Sequence, residues 1–174
     1  MRVIQSIYRF DVSLFIWISN CNGKIQWIRL ARLISASANG PLYLLLMIGL
    51  YLRQGDTESQ LLSCLLFGFL IERPIYFTLK QLFRRNRPYE NLKTARHVVP
   101  GDRFSFPSGH TSAAFLVATM LSTYQPWLLP AFMAWATSVA MARVILGVHF
   151  PTDTIVGALI GSGLASLSME LMNR

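Results

Sequence analysis

The sequence predicts an all-α integral membrane protein, a helical bundle with five to six transmembrane helices. Its 174 residues are 53% hydrophobic and 14% charged, whereas a soluble domain normally has about a quarter of its residues charged. Several apolar runs approach the roughly 20 residues that a helix needs to cross a bilayer. The length fits a single domain, so we expect residues 1–174 to form one membrane-embedded unit.

The basic character of the chain predicts anionic partners. The formal net charge is +8, which in a soluble protein would suggest nucleic acid. Here the basic residues lie between apolar runs, where the headgroups of a phospholipid bilayer and an anionic substrate are the expected partners. We expect no nucleic acid partner, because the sequence lacks the alternation of aromatic and basic residues that suits single strands.

The N-terminal part of the chain predicts a marginal helix before the first clear span. Residues 3–19 have apolar positions at helical spacing, with Arg9 and Asp11 among them, so this helix either lies in the membrane interface or crosses it. No small-residue cleavage site follows, so a cleaved signal peptide is not expected. A turn is predicted at Asn22-Gly23.

The first clear span is predicted to be broken in the middle. A helix over residues 24–38 carries three basic residues, so it begins at the level of the headgroups. The sequence Asn39-Gly40-Pro41 breaks or kinks this helix. Residues 41–52 then complete the span.

The second span, predicted over residues 61–79, contains Glu72 and Arg73. Ionisable groups at such a depth usually face a cavity or a partner helix. In one interpretation Arg73 lies on the floor of an anion-binding cavity. In the other, Glu72 and Arg73 each pair with a neighbouring helix and stabilise the bundle.

A long loop and three further helices complete the chain. The loop covers residues 86–106. The helices are predicted over residues 108–124, 127–146 and 152–172. The last of them contains Gly157 and Gly161, a Gly-x-x-x-Gly pair that permits close packing against another helix.

The strongest chemical signal near the last helix is the pair His149 and Asp153. Pro151 is a good first-turn residue, so Asp153 falls in the first turn, four residues after His149. Its carboxylate can reach one imidazole nitrogen and fix the tautomer, which leaves the other nitrogen free as a nucleophile. In the alternative, His149 merely packs near a helix cap and Asp153 accepts hydrogen bonds from the backbone.

A second cluster, Pro107-Ser108-Gly109-His110, opens another helix. The unpaired N–H groups and the positive end of that helix form an anion site. Gly109 lets the backbone approach a phosphate closely, the Ser108 hydroxyl can donate a hydrogen bond, and His110 can protonate a leaving oxygen. The alternative is an ordinary helix cap.

Cations form the third cluster. Lys80, Arg87 and Arg143 provide three permanent positive charges, which suit the three oxygens of a phosphoryl group. Arg84 and Arg85, in contrast, are interpreted as side chains that extend to the headgroups from the end of a membrane helix.

Taken together, the three clusters resemble the three-part signature of the type-2 phosphatidic acid phosphatase family. That superfamily also includes bacterial lipid-phosphate phosphatases, glucose-6-phosphatase and vanadium haloperoxidases. The signature covers residues 80–153 in the order Lys80, Arg87-Pro88, Pro107-Ser108-Gly109-His110, Arg143, His149 and Asp153.

The resemblance implies a phosphatase that acts through a phosphohistidine and needs no metal or other cofactor. It implies that His149 attacks phosphorus, that Asp153 orients His149, and that His110 protonates the leaving group. The positions that bind the phosphoryl oxygens would be Lys80, Arg87, Ser108, Gly109 and Arg143. The chain departs from the family at Ala142, where a serine is common; this removes one hydroxyl and none of the charged or nucleophilic groups.

The expected substrate is a lipid that carries a terminal phosphate or diphosphate. The catalytic segment 80–103 contains more cations than one phosphoryl group needs. These additional cations are Arg84, Arg85, Lys93, Arg96 and Arg103. They favour a polyprenyl diphosphate such as undecaprenyl diphosphate over phosphatidic acid or phosphatidylglycerol phosphate; the alternative is that they simply contact anionic lipid.

Two other functions compete with hydrolysis. The same phosphohistidine could transfer its phosphoryl group to a lipid acceptor, which would make the protein a phosphotransferase. A non-enzymatic anion transporter is least favoured, because it has no need for the two histidines and Asp153. A haloperoxidase is remote, since those proteins are mostly soluble.

Two arguments on orientation disagree. The positive-inside rule places the basic segment 80–103 in the cytoplasm, whereas the resemblance to bacterial lipid phosphatases implies a multi-pass protein of the inner (plasma) membrane with an outward-facing active site. Cations that bind phosphate should be left out of the positive-inside count. We therefore expect the outward orientation.

Overall fold

The computed structural model describes residues 2–22 and 24–172, and all of the secondary structure in these ranges is helical. Gly23, and with it part of the predicted Asn22-Gly23 turn, lies outside the described residues. A short 3-10 helix, Pro126–Leu128, precedes α7. The α-helices are α1 (Arg2–Asn22), α2 (Ile25–Ala36), α3 (Gly40–Arg53), α4 (Asp56–Phe83), α5 (Pro88–Asn91), α6 (Gly109–Tyr124), α7 (Leu129–Ile145) and α8 (Pro151–Met172). The predicted all-α fold class is confirmed.

The break predicted at Asn39-Gly40-Pro41 is present. Helices α2 and α3 meet there at an angle of 42°, and Pro41 lies in the first turn of α3, where its missing N–H costs nothing. The loop predicted over residues 86–106 is interrupted by α5, which Pro88 starts in the same way. Helix α4 is longer than predicted, because Asp56 and Glu58 stabilise an earlier first turn.

Helix α6 is the centre of the bundle and packs against α4, α7 and α8. Its buried face contributes Leu116 and Met120 to a core that also contains Leu65, Val139 and Ala165. Outside this core, many large apolar side chains are exposed along the helices. Such an apolar exterior is what a lipid environment requires.

Length and hydropathy alone identify fewer membrane-spanning helices among the described residues than the predicted five to six. Among the described residues, three segments are long and apolar enough to cross a membrane. They are Asp56–Asn91, Pro126–Ile145 and Pro151–Met172. The bent pair α2–α3 counts as a fourth if it forms one span. Helix α6 has 16 residues, a length of about 24 Å, which is shorter than the roughly 30 Å hydrocarbon core. The protein is a multi-span membrane protein, and the higher count stays a prediction.

Close packing of the last helix against another helix was predicted from Gly157 and Gly161, and the structure shows that the partner is α6. A Cβ atom on Gly161 would lie 2.1 Å from the carbonyl oxygen of Ser112, and one on Gly157 would lie 2.7 Å from that of Ser108. Only glycine permits this approach of the two backbones. The approach brings the N-terminal ends of α6 and α8 together, where the Ser108 N–H donates to the carbonyl of Asp153 at 3.0 Å.

Gly161→Ala should destabilise the protein, because the new methyl group would overlap the α6 backbone. Such overpacking costs about 1–3 kcal/mol, which corresponds to a lower melting temperature by at least about 2 °C in the same detergent. Gly163→Ala is the matched control, since an added Cβ there meets no atom of the described residues within 4 Å. Equal melting temperatures for the two variants would contradict the role of Gly161.

Candidate active site

A cavity of about 580 Å³ opens where α3, α4, α6 and α7 meet the loop after α5. Five of the eight predicted site residues line it: Arg87, Gly109, His110, Arg143 and His149. The other three, Lys80, Ser108 and Asp153, are buried behind its wall. The structure therefore brings the three clusters of the sequence to one place.

His149 reaches the cavity because the chain turns sharply after α7. Gly147 has a φ of +76°, in the left-handed region that favours glycine. A Cβ atom there would also lie 2.6 Å from the carbonyl oxygen of Ala95. The turn ends at Pro151, which starts α8, so His149 is held between the end of α7 and the start of α8.

The carboxylate of Asp153 faces His149 without bonding to it directly. The distance from Asp153 Oδ2 to His149 Nδ1 is 3.8 Å, longer than a hydrogen bond, and Nδ1 has no partner among the described residues. Asp153 Oδ2 instead accepts the backbone N–H of Phe150 at 2.8 Å and the hydroxyl of Ser105. Both interpretations of Asp153 thus have structural support: it caps the start of α8 and it lies beside the imidazole.

His149 is almost completely buried, with 2% of its surface exposed. Burial, followed by the positive charges of Arg87, Arg143 and Lys80, lowers the pKa of His149 well below its usual range. The ring is therefore neutral at pH 7 and has an unprotonated nitrogen. Its Nε2 atom lies 3.4 Å from Arg87 Nη1, next to the predicted phosphate-binding cations.

The three predicted cations are held by specific partners. Arg87 Nη1 donates to the carbonyl of Val148 at 2.7 Å, which fixes the guanidinium beside His149. Arg143 Nη1 donates to the hydroxyl of Ser35 at 2.7 Å. Lys80 Nζ donates to the carbonyl of Phe104. These contacts orient each cation before any anion is bound.

Sequence reasoning missed Asp102, whose carboxylate lies between two of these cations. Its Oδ1 atom accepts from Lys80 Nζ at 2.5 Å and from Arg87 Nη2 at 2.7 Å, and its Oδ2 atom accepts from the Tyr76 hydroxyl at 2.6 Å. Burial acts to raise the pKa of Asp102, but the hydrogen bonds from Lys80 and Tyr76 and the charges of Lys80 and Arg87 lower it to about 2. Asp102 is therefore ionised at neutral pH and pairs with two of the predicted phosphate-binding cations.

The residues at the start of α6 have different surroundings from those predicted. The Ser108 hydroxyl bonds to the Thr111 hydroxyl at 2.9 Å and is buried. Gly109 lines the cavity, and a Cβ atom there would lie 2.6 Å from the ring of Tyr76, so glycine is also required for packing. His110 Nε2 lies 3.0 Å from Asn39 Oδ1, a partner at the α2–α3 break that the sequence did not indicate.

The interpretation of Arg85 as a headgroup-contacting side chain was wrong. Arg85 Nη1 donates to Asp153 Oδ1 at 2.7 Å, and Nη2 pairs with the buried Asp11 of α1. Its neighbour Arg84 is exposed, as expected. Helix α4 ends between them, because Arg84 adopts a left-handed conformation with a φ of +44°, and Arg85 therefore points back into the protein.

Of the two interpretations of Glu72 and Arg73, the structure agrees with the first in that Arg73 lines the cavity. The second was wrong, because the two side chains pair with each other within α4 and not with neighbouring helices. Among residues 2–22 and 24–172, the structure contains no group of three histidine, cysteine or acidic side chains that could hold a metal ion.

Comparison with known sequences shows what the chain is similar to. A sequence model of the PAP2 superfamily matches residues 60–174. The decaprenylphosphoryl-5-phosphoribose phosphatase of Mycobacterium tuberculosis is 29% identical over 100 residues, which are 58% of this chain and 55% of that protein. Phosphatidylglycerophosphatase B of Escherichia coli is 33% identical over 112 residues, covering 57% of this chain and 44% of that protein. The chain spans about half the length of the curated relatives it matches.

The fold is also similar to a solved structure over nearly its whole length. The crystal structure of LpxE from Aquifex aeolicus superposes with a TM-score of 0.82 at 28% sequence identity. The match covers 91% of this chain and 93% of that one. The match therefore extends into residues 1–59, which the sequence model does not cover.

Asp102→Asn should strengthen the binding of phosphate analogues, because it removes the negative charge that lies between Lys80 and Arg87. Hydrogen bonds to charged groups contribute about 1.5–3 kcal/mol each, so the inhibition constant of vanadate should fall about tenfold or more. Asp56→Asn, at an exposed position in the first turn of α4, is the matched control. Weaker inhibition of Asp102→Asn would mean that this carboxylate holds the cations in place instead.

Proposed function

The chain belongs to the PAP2 superfamily, and on that premise we propose that it is a membrane phosphatase that removes the terminal phosphate from a lipid phosphate or diphosphate. The observation that carries this proposal is the position of His149. Its neutral imidazole lines a cavity together with Arg87 and Arg143 and lies beside the buried Asp153. This arrangement offers a nucleophile and positive charge to the same phosphoryl group.

The reaction proceeds in two steps. Nε2 of His149 attacks phosphorus, so that a P–N bond forms while the bond from phosphorus to the lipid oxygen breaks. His110 gives a proton to that oxygen. A water molecule, deprotonated by His110, then attacks phosphorus and releases inorganic phosphate and neutral His149. Asp153 stabilises the positive charge that develops on the imidazole in the first step.

The phosphoryl oxygens are held by protein groups and not by a metal ion. Arg87 and Arg143 lie on the cavity wall, and Lys80 lies just behind it. Ser108 and Gly109 contribute the N-terminal end of α6, where N–H groups and the helix dipole favour an anion. The charge that develops in the transition state is thereby compensated by groups that are already in place.

The apolar part of the same cavity suits a lipid tail. Tyr43 and Met47 of α3 and Phe69 and Phe77 of α4 line it, and Phe77 is also exposed on the outside of the bundle. A lipid in the bilayer could therefore bring its headgroup to His149 while its chain stays in apolar surroundings. Each buried methylene group contributes about 0.8 kcal/mol to such binding.

The favoured substrate is a polyprenyl diphosphate such as undecaprenyl diphosphate. One relative is named for a decaprenyl-linked substrate, which supports the polyprenyl part of this choice. Arg73 lines the cavity outside the signature, but it is paired with Glu72 and does not add an uncompensated cation. Arg85 no longer counts among the cations that favour a diphosphate, because it is paired within the protein. Phosphatidic acid and phosphatidylglycerol phosphate are the alternatives, and the second is close to the substrate named for the Escherichia coli relative.

Transfer of the phosphoryl group to a lipid acceptor is the second candidate function, because the same phosphohistidine would serve both reactions.

The proposed location is the bacterial inner membrane, with the cavity facing outward. Cations that are held by Asp102 and by the substrate do not count toward the positive-inside rule, which removes the main argument for a cytoplasmic active site.

His149→Ala should abolish turnover, because it removes the nucleophile that forms the covalent intermediate. Activity should fall below about a hundredth of the wild-type rate, whereas His110→Ala, which removes general acid–base help, should lose roughly 10²- to 10⁴-fold. His97→Ala is the control, since the contacts of this loop histidine are made by its backbone. Acid-labile phosphate labelling of the protein measures formation of the covalent intermediate, and release of inorganic phosphate measures the complete reaction. A His149→Ala variant with more than about a hundredth of the wild-type activity would refute the covalent mechanism.

Comparison of four lipids should identify the substrate class. Phosphate release is measured from undecaprenyl diphosphate, farnesyl diphosphate, phosphatidic acid and phosphatidylglycerol phosphate in the same detergent. We expect the highest kcat/KM for undecaprenyl diphosphate, with farnesyl diphosphate lower because its shorter chain buries less apolar surface. A clear preference for either glycerolipid would overturn the choice of a diphosphate, and phosphoryl transfer to added lipid without release of phosphate would indicate a transferase.

A further inference from the structure

A chain of buried ionic contacts joins the N-terminal helix to the active site. Asp11 of α1 has no exposed surface and pairs with Arg85 Nη2. The other terminal nitrogen of Arg85, Nη1, lies 2.7 Å from Asp153 Oδ1. Arg85 therefore bridges two buried carboxylates, one of which lies beside His149.

Asp11 also holds the start of α8. Its Oδ1 atom accepts the backbone N–H of Thr152 at 3.0 Å, and its Oδ2 atom accepts the Thr152 hydroxyl at 2.5 Å. Arg85 Nη1 donates to the same hydroxyl at 2.9 Å. The first turn of α8, which carries Asp153, is thus fixed from the side of α1 by a charged network.

We propose that Asp11 and Arg85 are positioning residues that act on His149 through Asp153. The inference rests on the proposed function, in which Asp153 orients the nucleophile. Arg85 occupies Oδ1 of the Asp153 carboxylate, and this sets the rotation of the carboxylate so that Oδ2 faces His149 Nδ1. Asp11 in turn fixes the guanidinium of Arg85.

Charge balance explains why both residues are needed. Two buried carboxylates close together repel each other, and an uncompensated charge in a protein interior is very unfavourable. The planar guanidinium can bond to both carboxylates at once with its two terminal nitrogens, which a lysine cannot do in the same geometry. With Asp11 neutralised, Arg85 would be free to form a symmetric two-oxygen contact with Asp153 and to draw Oδ2 away from His149.

Helix α1 lies outside the residues 60–174 that match the superfamily, and Arg85 is not one of the residues that define the three-part signature. The network therefore assigns an active-site role to two residues that the signature does not include. It also gives a reason for an acidic residue in the otherwise apolar middle of α1.

The test uses Asp11→Asn, Arg85→Lys and Arg85→Gln in the full-length protein. Loss of a residue that orients a metal-ligating histidine typically costs 10- to 100-fold in activity. By analogy with a histidine that is oriented as a nucleophile, we expect kcat to fall about 10- to 100-fold while KM stays within about twofold. The acidic limb of the pH profile should move to higher pH in Arg85→Gln, because loss of the cation favours protonation of Asp153. Arg85→Lys, which keeps the charge, should restore the pH profile and only part of kcat.

Two exposed residues provide matched controls. Asp56→Asn repeats the change made at Asp11, and Arg9→Gln repeats the change made at Arg85 on the exposed side of α1. Both should have wild-type kcat and pH profile. In the double variant of Asp11→Asn with Arg85→Gln, the loss should equal the larger single loss and not the product, because both residues act on the same carboxylate.

The inference and the proposed function can fail separately. If His149→Ala is inactive while Asp11→Asn and Arg85→Lys have wild-type kcat, the positioning role is wrong and the proposed function stands. A lower melting temperature with unchanged kcat per folded molecule would likewise overturn it, since Asp11 and Arg85 would then only stabilise the fold. Asp11→Asn is the informative variant if Arg85→Gln does not fold, because the amide oxygen can still accept the Thr152 N–H. Activity of His149→Ala would refute the proposed function itself.

Discussion

The active-site end of the molecule depends on the close approach of α6 and α8. Gly157 and Gly161 leave no side chain between the two backbones, and the approach ends in a hydrogen bond from the Ser108 N–H to the Asp153 carbonyl. The helix starts that carry His110 and Asp153 are thereby fixed relative to each other. The start of α6 also contributes N–H groups to the site, whereas those at the start of α8 are bonded to Asp11, Asp153 and the Phe150 carbonyl. One packing contact therefore provides the geometry of the site and places the positive end of α6 beside it.

Charge compensation within the protein is the second condition, because an unpaired buried charge costs several kcal/mol. Four cations in or near the cavity wall are paired with acidic residues of this chain, whereas Arg143 bonds to the hydroxyl of Ser35. The pairs are Lys80 and Arg87 with Asp102, Arg85 with Asp11 and Asp153, and Arg73 with Glu72. The positively charged site can therefore form before an anion binds. A phosphate that binds there takes the place of an acidic partner, so the paired cations do not have to be buried without a negative charge.

The sequence predicted the residues whose role depends on local context. Arg87, His110 and His149 each lie next to a helix end marked by proline, serine or glycine, and the structure places them around one cavity. Asp11, Asn39 and Asp102 escaped prediction because their partners are far away in the chain, and nothing local distinguishes a buried carboxylate from an exposed one. Arg84 and Arg85 have the same local context, yet the end of α4 between them directs one outward and the other inward. Prediction of the number of transmembrane helices has the same limit. The hydropathy of α6 does not reveal that other helices surround it.

The position of Asp102 bears on how such an enzyme distinguishes its substrate from the surrounding bilayer. Most phospholipids present a phosphodiester with one negative charge, the same charge as the Asp102 carboxylate. A terminal phosphate carries about 1.5 to 2 negative charges at pH 7 and three acceptor oxygens. If a phosphodiester displaces Asp102 from Lys80 and Arg87, the negative charge beside these cations is unchanged, whereas displacement by a terminal phosphate increases it by about 0.5 to 1. On the proposed function, internal competition by Asp102 keeps the cavity free of bulk phospholipid and admits the lipid that the enzyme hydrolyses.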